Sequence, residues 1–152
     1  MEDLLEQFEL PQAPVENDIV NSDEYAEAQI QVVLEEEVPI FAAGLGDPAR
    51  VIPRARDQSM VVIGLAGTVR NAERNRDAGV DIVVCQGTEG GGHTGPVATL
   101  PLVSQAVEAI APTPVVAAGG ITGGRGIAAA LTLGAIGVWM GTAFLVAEEG
   151  GL

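Results

Sequence analysis

The chain has no lysine and almost no cysteine: its seven basic residues are all arginine, and Cys85 is its one thiol among 152 residues. A single thiol cannot form an intrachain disulfide, so the sequence does not read as a small stapled secreted domain, and the cytoplasm is the default compartment. Positive charge of any kind is scarce, because 21 Asp and Glu bring the net charge to −14. A field of that sign repels phosphate backbones and anionic lipid surfaces, which excludes nucleic acid as the main partner. Acid excess without lysine resembles the proteins of salt-accumulating microbes, although a GC-rich genome that writes Arg for Lys produces the same pattern. Aromatics number five, and histidine occurs once, as His93.

A secretory leader is not evident either. The opening Met1, Glu2, Asp3, Leu4, Leu5, Glu6 is acidic where such a leader is basic, and no apolar run follows it. The 22 residues from Gly126 to Ala147 carry no charge and are long enough on paper to span a bilayer. Gly134, Gly137, Gly141, Thr132 and Thr142 interrupt them, and the pattern shifts midway from an Ala/Leu helix to the strand-like Ile136 to Met140. A buried helix followed by a buried strand accounts for this stretch without a membrane.

What the chain does have is 47% hydrophobic residues and 20 glycines, enough for one domain with a core. Short apolar runs recur at Pro39 to Ala43, Val61 to Leu65, Val80 to Val84, Pro114 to Ala118 and Ala135 to Met140. Their near-continuous apolarity marks parallel strands. Helical patterns separate them. Thr68 caps one that ends at Gly79; Pro101 starts another with Leu102, Val103, Ala106, Val107 and Ile110 on one face; a third carries Ile127, Ala130 and Leu131 and stops at Gly134. Before the first strand, Asn21 or Ser22 can cap a helix bearing Ala26, Ile30, Val33 and Leu34. The order is α(βα)₄β over residues 21–152, behind an irregular acidic arm at 1–20. Five such strands fit either an open doubly wound sheet or part of an eight-stranded barrel. Gly44, Gly46 and Ala49 match the dinucleotide fingerprint by letter, but no acid for a ribose follows about twenty residues on.

The glycines after the last three strands are the most informative. Gln86 to Gly95 holds His93 and five glycines at a strand's C-terminal end, where α/β folds put catalytic groups and where glycine lets backbone approach a planar ligand. Its plain alternative is a flexible surface loop. Gly119 and Gly120 end the next strand, and Met140, Gly141 and Thr142 follow the last one, so exposed N–H groups there could face an anion. Those glycines could equally serve only to turn the chain. Arg125 is the single cation between Arg76 and the C-terminus.

Asp81 to Gly95, Pro114 to Ile121 and Gly134 to Phe144, taken in order, resemble the nitronate monooxygenase family, formerly the 2-nitropropane dioxygenases. The resemblance implies an α/β fold, a partial TIM-type (β/α)₈ barrel whose five parallel strands correspond to family strands four to eight, with FMN as cofactor and alkyl nitronates oxidised by O₂. By the same resemblance Gln86 and Gly91 contact the flavin, and Gly120 and the stretch Trp139, Met140, Gly141 and Thr142 face its phosphate. His93 is the catalytic base or orients the substrate. Gly90 departs from the usual Ala, Cys85 from a common Ala, and Trp139 from a frequent Gln. Cys85 reads as a small buried filler, not a nucleophile. The first three barrel strands, with an Asn flavin contact and much of the substrate pocket, are expected to lie outside this chain. It is therefore expected to form an oligomer or to be completed by an N-terminal half-barrel. Alternatives are a flavin-dependent enoyl-acyl-carrier-protein reductase and a non-catalytic half-barrel that binds a phosphorylated ligand.

Overall fold

A computed structural model describes residues 23–44 and 48–150. The acidic arm expected at 1–20, the Asn21 or Ser22 cap and most of the Gly44 to Ala49 fingerprint lie outside the described residues.

Helix α1 (Asp23–Glu35) buries Ile30 and Leu34, one turn apart, and leads into β1 (Ile40–Ala43). A 3₁₀ turn (Pro48–Arg50) then precedes α2 (Ile52–Asp57) and β2 (Val61–Ala66). Next come α3 (Val69–Ala78), β3 (Ile82–Gln86), α4 (Thr99–Ala109) and β4 (Val115–Ala118). The chain continues through α5 (Gly124–Thr132), β5 (Gly137–Trp139), α6 (Thr142–Leu145) and a last 3₁₀ turn (Glu148–Gly150). Helix α3 has both expected ends: Thr68 accepts a hydrogen bond from Asn71 N, and Gly79 closes it at φ +92°. Pro101 lies in the first turn of α4 but is its third residue, because the helix begins at Thr99. In α5, Ala130 is buried and Leu131 is half-exposed. The uncharged run divides into α5, β5 and α6, and no helix among the described residues is long and apolar enough to cross a membrane.

All four strand pairs are parallel, and the sheet order is β1-β2-β3-β4-β5. A doubly wound sheet reverses its order at a switch point, and this one never does, so each right-handed crossover places its helix on the same side. The result is an arc of a (β/α) barrel. Val62, Ala66, Val83, Cys85, Val115 and Ala117 face the helices and join Leu102, Val103, Ala106 and Ile110 in one core. Each fully buried Val, Leu or Ile there contributes roughly 1.5–3 kcal/mol.

Register puts the other residues on the concave face: Ile63 opposite Ile82, Leu65 in line with Val84, Val116 and Gly137, and Gln86 in line with Ala118 and Trp139. This face is as apolar as the covered one. That explains why the strands read as unbroken apolar runs, yet Ile40, Val61 and Trp139 on it are 53%, 37% and 45% exposed. Among the described residues, β1 pairs only with β2, and β5 only with β4.

Candidate functional site

Because the strands are parallel, every glycine-rich loop emerges at one end of the arc. Gln86, Ala118 and Trp139 form the outermost concave row there, spanning about 10 Å across two strand spacings. Glycine is required where the loops cross. A Cβ on Gly67, after β2, would lie 2.6 Å from Gly95 N, and one on Gly95 would lie 2.2 Å from the Gly67 oxygen. The β2 loop is thus packed backbone to backbone against the segment carrying His93.

Between Gly87 and Ala98 the β3 loop is held by side chains. Gln86 Nε2 donates to the Gly91 carbonyl at 3.0 Å. The Glu89 carboxylate accepts from Thr99 N at 2.9 and 3.2 Å and lies 2.9 Å from Thr99 Oγ1, at the first residue of α4. A hydrogen bond from its own backbone N–H, then those from the Thr99 hydroxyl and N–H, hold the Glu89 carboxyl below the usual carboxylate range. Thr99 is buried, and its Oγ1 also lies 2.9 Å from the Gly119 carbonyl after β4. Gly119 and Gly120 both take positive φ, +100° and +68°.

A cleft of about 780 Å³ opens beside this loop. Its wall includes Gln86, His93, Thr94 and Gly95 from the β3 side, Leu65 to Gly67 from β2, and Asn71, Arg74 and Asn75 from α3. Asn75 is buried and donates to the Leu65 carbonyl at 3.0 Å. Arg74 has no hydrogen bond or ion pair among the described residues, whereas Arg50, Arg54 and Arg76 are paired with Asp23, Glu27 and Asp77. Asp77, three residues on, also lines this cleft and is held by Arg76.

The cleft brings together Gln86 and His93, and His93 is exposed to it. It does not include Gly91, Gly120, Trp139, Met140, Gly141 or Thr142. Gly91, Gly120, Met140 and Gly141 lie at the same end of the arc in the loops after β3, β4 and β5, with Trp139 the last residue of β5 and Thr142 the first of α6. Cys85 faces the helix side, fully buried, and burial pushes its thiol up to about 12, which leaves no thiolate at neutral pH. Sequence reading missed Thr99, Asn75 and Arg74, and gave Glu89 no role. Only the helix start near Pro101 pointed toward Thr99.

The strand-end face fits a planar, phosphate-bearing group. A Cβ on Gly91, Gly123, Gly124 or Gly141 would meet nothing within 4 Å, so open space borders the backbone in three successive loops. An arc of parallel βα units with glycine-lined loops at the strands' C-terminal ends defines an α/β barrel of the cofactor-binding kind. A family profile described as nitronate monooxygenase matches residues 3–152, and the chain belongs to that family of oxidoreductases. A Staphylococcus haemolyticus protein named a probable nitronate monooxygenase is 41% identical over 150 residues, covering 91% of this chain and 41% of the relative. FabK from Thermotoga maritima superposes with TM-score 0.80 at 37% identity, over 97% of this chain and 49% of that one. Nitroalkane oxidase from Streptomyces ansochromogenes gives 0.76 at 37% identity, over 84% and 40%. The chain spans between 32% and 42% of the length of the curated relatives it matches.

Proposed function

We propose that the chain forms the flavin-binding part of an FMN-dependent enzyme that oxidises alkyl nitronates with O₂. The observation that carries this reading is that His93 and Gln86 line one cleft at the strand ends where the glycine loops gather. Gln86 and Gly91 hold the ring edge, and Gly120 with Trp139, Met140, Gly141 and Thr142 holds the phosphate end. Positive φ at Gly120 turns the chain after β4, and Gly123 and Gly124 open α5 without a Cβ in the way. When bound, FMN supplies the redox chemistry and the reaction with O₂.

His93 takes the proton α to the nitro group, or orients a nitronate already formed, from a position exposed to the cleft. Arg74, which also lines the cleft, favours the anionic form of the substrate. The exposed apolar concave face and the two edges that are unpaired among the described residues call for more strands, supplied by an N-terminal half-barrel or by self-association.

The test is titration of the purified chain with FMN, followed by O₂ uptake with an alkyl nitronate after the barrel is completed with further βα units. Flavin binding with nitronate-dependent O₂ uptake is the expected result. NADH oxidation with an enoyl thioester instead would assign an enoyl-acyl-carrier-protein reductase, and failure to bind flavin would leave a half-barrel for a phosphorylated ligand.

A further inference from the structure

We infer that Glu89 and Thr99 form a latch that positions the His93 loop and the Gly119, Gly120 turn as one unit, so that both are positioning residues for the flavin site; this rests on the reading above. The two loops leave neighbouring strands, β3 and β4; the chain passes between them through α4, and their backbones meet where Gly87 N donates to the Ala118 carbonyl at 3.0 Å. Thr99, the first residue of α4, extends that join outward to Glu89 and Gly119. Its buried Oγ1 stands 2.9 Å from Glu89 Oε2 on one side and 2.9 Å from the Gly119 carbonyl on the other, with the Ala118 carbonyl at 3.3 Å. A hydroxyl has one proton to give; because Thr99 N already donates to Glu89 Oε2 at 2.9 Å, the hydroxyl can give its proton to the Gly119 carbonyl, and one residue then holds both loops.

Packing closes the remaining freedom. A Cβ on Gly87 would lie 2.1 Å from Thr99 Oγ1, one on Gly119 2.9 Å from the same atom, and one on Gly120 2.9 Å from Glu89 Cβ. Thr99 and Glu89 thus fill the space that the glycines of both loops leave empty. An exposed carboxylate contributes little to stability as a surface charge, and here it is instead fixed by three contacts to one residue.

The latch also decides where a ligand anion goes. Glu89 occupies the N–H group at the start of α4, a position that would otherwise attract a phosphate. The anion is left to the β4 turn, and the latch keeps that turn at a set distance from His93, four residues beyond Glu89.

The experiment compares Glu89→Gln, Thr99→Val, Thr99→Ser and the Glu89→Gln/Thr99→Val double variant. It reads FMN affinity by fluorescence and amide exchange across residues 87–98 and 119–123 in flavin-free protein. The latch requires Glu89→Gln and Thr99→Val each to speed exchange in both loops and to weaken FMN about tenfold, the scale of one lost charge-assisted hydrogen bond. Thr99→Ser should restore both, and the double variant should lose no more than the worse single one. Faster exchange confined to 87–98, or losses that simply add, would overturn the latch. Coupled exchange in a wild-type chain that binds no FMN would uphold the latch and remove the flavin reading. Unchanged FMN affinity in Thr99→Val, with wild-type binding intact, would remove the positioning role.

Discussion

Gln86 Nε2 and the Gly91 carbonyl oxygen lie 3.0 Å apart, so the last residue of β3 folds its amide back onto the loop that carries His93. The closed segment holds Gly90 and Gly91, and a Cβ on Gly90 would come within 2.6 Å of the same Nε2. The side chain that the family resemblance assigns to the flavin therefore also shapes the approach to His93.

That arrangement separates two kinds of loss. His93→Ala in the completed barrel should cut turnover about 10²–10⁴-fold, roughly 3–5 kcal/mol, with FMN still bound. Gln86→Ala should instead weaken FMN, because it removes the flavin contact proposed for this residue together with the loop closure onto Gly91. Steady-state rates beside flavin titrations check both, and a loss below tenfold in His93→Ala would mean that His93 only lines the cleft.

Gly120 and Gly141 were equivalent on the sequence, and the structure makes them different. Gly120 sits at φ +68° against Glu89, so Gly120→Val strains the turn whether or not a phosphate binds there. Gly141 has φ −104° and open space around it, so Gly141→Val places its methyls only where a ligand would be. Expected outcomes are lost FMN retention with an unchanged melting temperature for Gly141→Val, and loss of both for Gly120→Val. Calorimetry with flavin absorbance reads the pair.

The strands and most helices were legible because their signals are local: apolar runs for β1 to β5, the Thr68 cap and the Gly79 stop for α3. Choosing between an open sheet and a barrel arc was not local, since it depends on which strand pairs with which. Register such as Gln86 beside Ala118 beside Trp139 settles it. His93 stood out as the one histidine, in a glycine-rich loop, and Gln86 and Gly120 were assigned through the family resemblance. Glu89 with Thr99 did not, because their contact spans ten residues of loop with no periodicity.

Cys85 provides a pH signature of the core. Its folded thiol is held up to about 12, against 9.0 for an ordinary thiol. The unfolded chain therefore releases this proton first as pH rises, and above about 9 it binds fewer protons than the folded chain. The sign follows: the neutral thiol's contribution is complete below pH 9 and falls by about 1.4 kcal/mol per pH unit up to the folded value. Cys85→Ala should flatten that alkaline decline in denaturant melts between pH 8 and 11. An equally steep decline in the variant would assign it to other groups.

The edges of the arc set the last expectation. Strand β1 and strand β5 each present one unpaired row of backbone donors and acceptors among the described residues, and the concave face between them exposes Ile40 and Trp139. Phe144, Leu145 and Val146, just beyond β5, are 70%, 56% and 77% exposed and extend the apolar surface past that edge. Unpaired edges beside apolar surface are satisfied by other strands, so the 152-residue chain is expected to associate in dilute buffer. Its charge of −14 opposes close approach of two copies, and salt screens that repulsion within about 10 Å at 0.1 M. Sedimentation should therefore show larger species as salt rises. Co-expression with a βα segment able to pair with both edges should return a one-to-one complex that binds FMN more tightly than the chain alone. A cooperative, FMN-loaded monomer in dilute buffer would mean that the concave face is covered from within this chain.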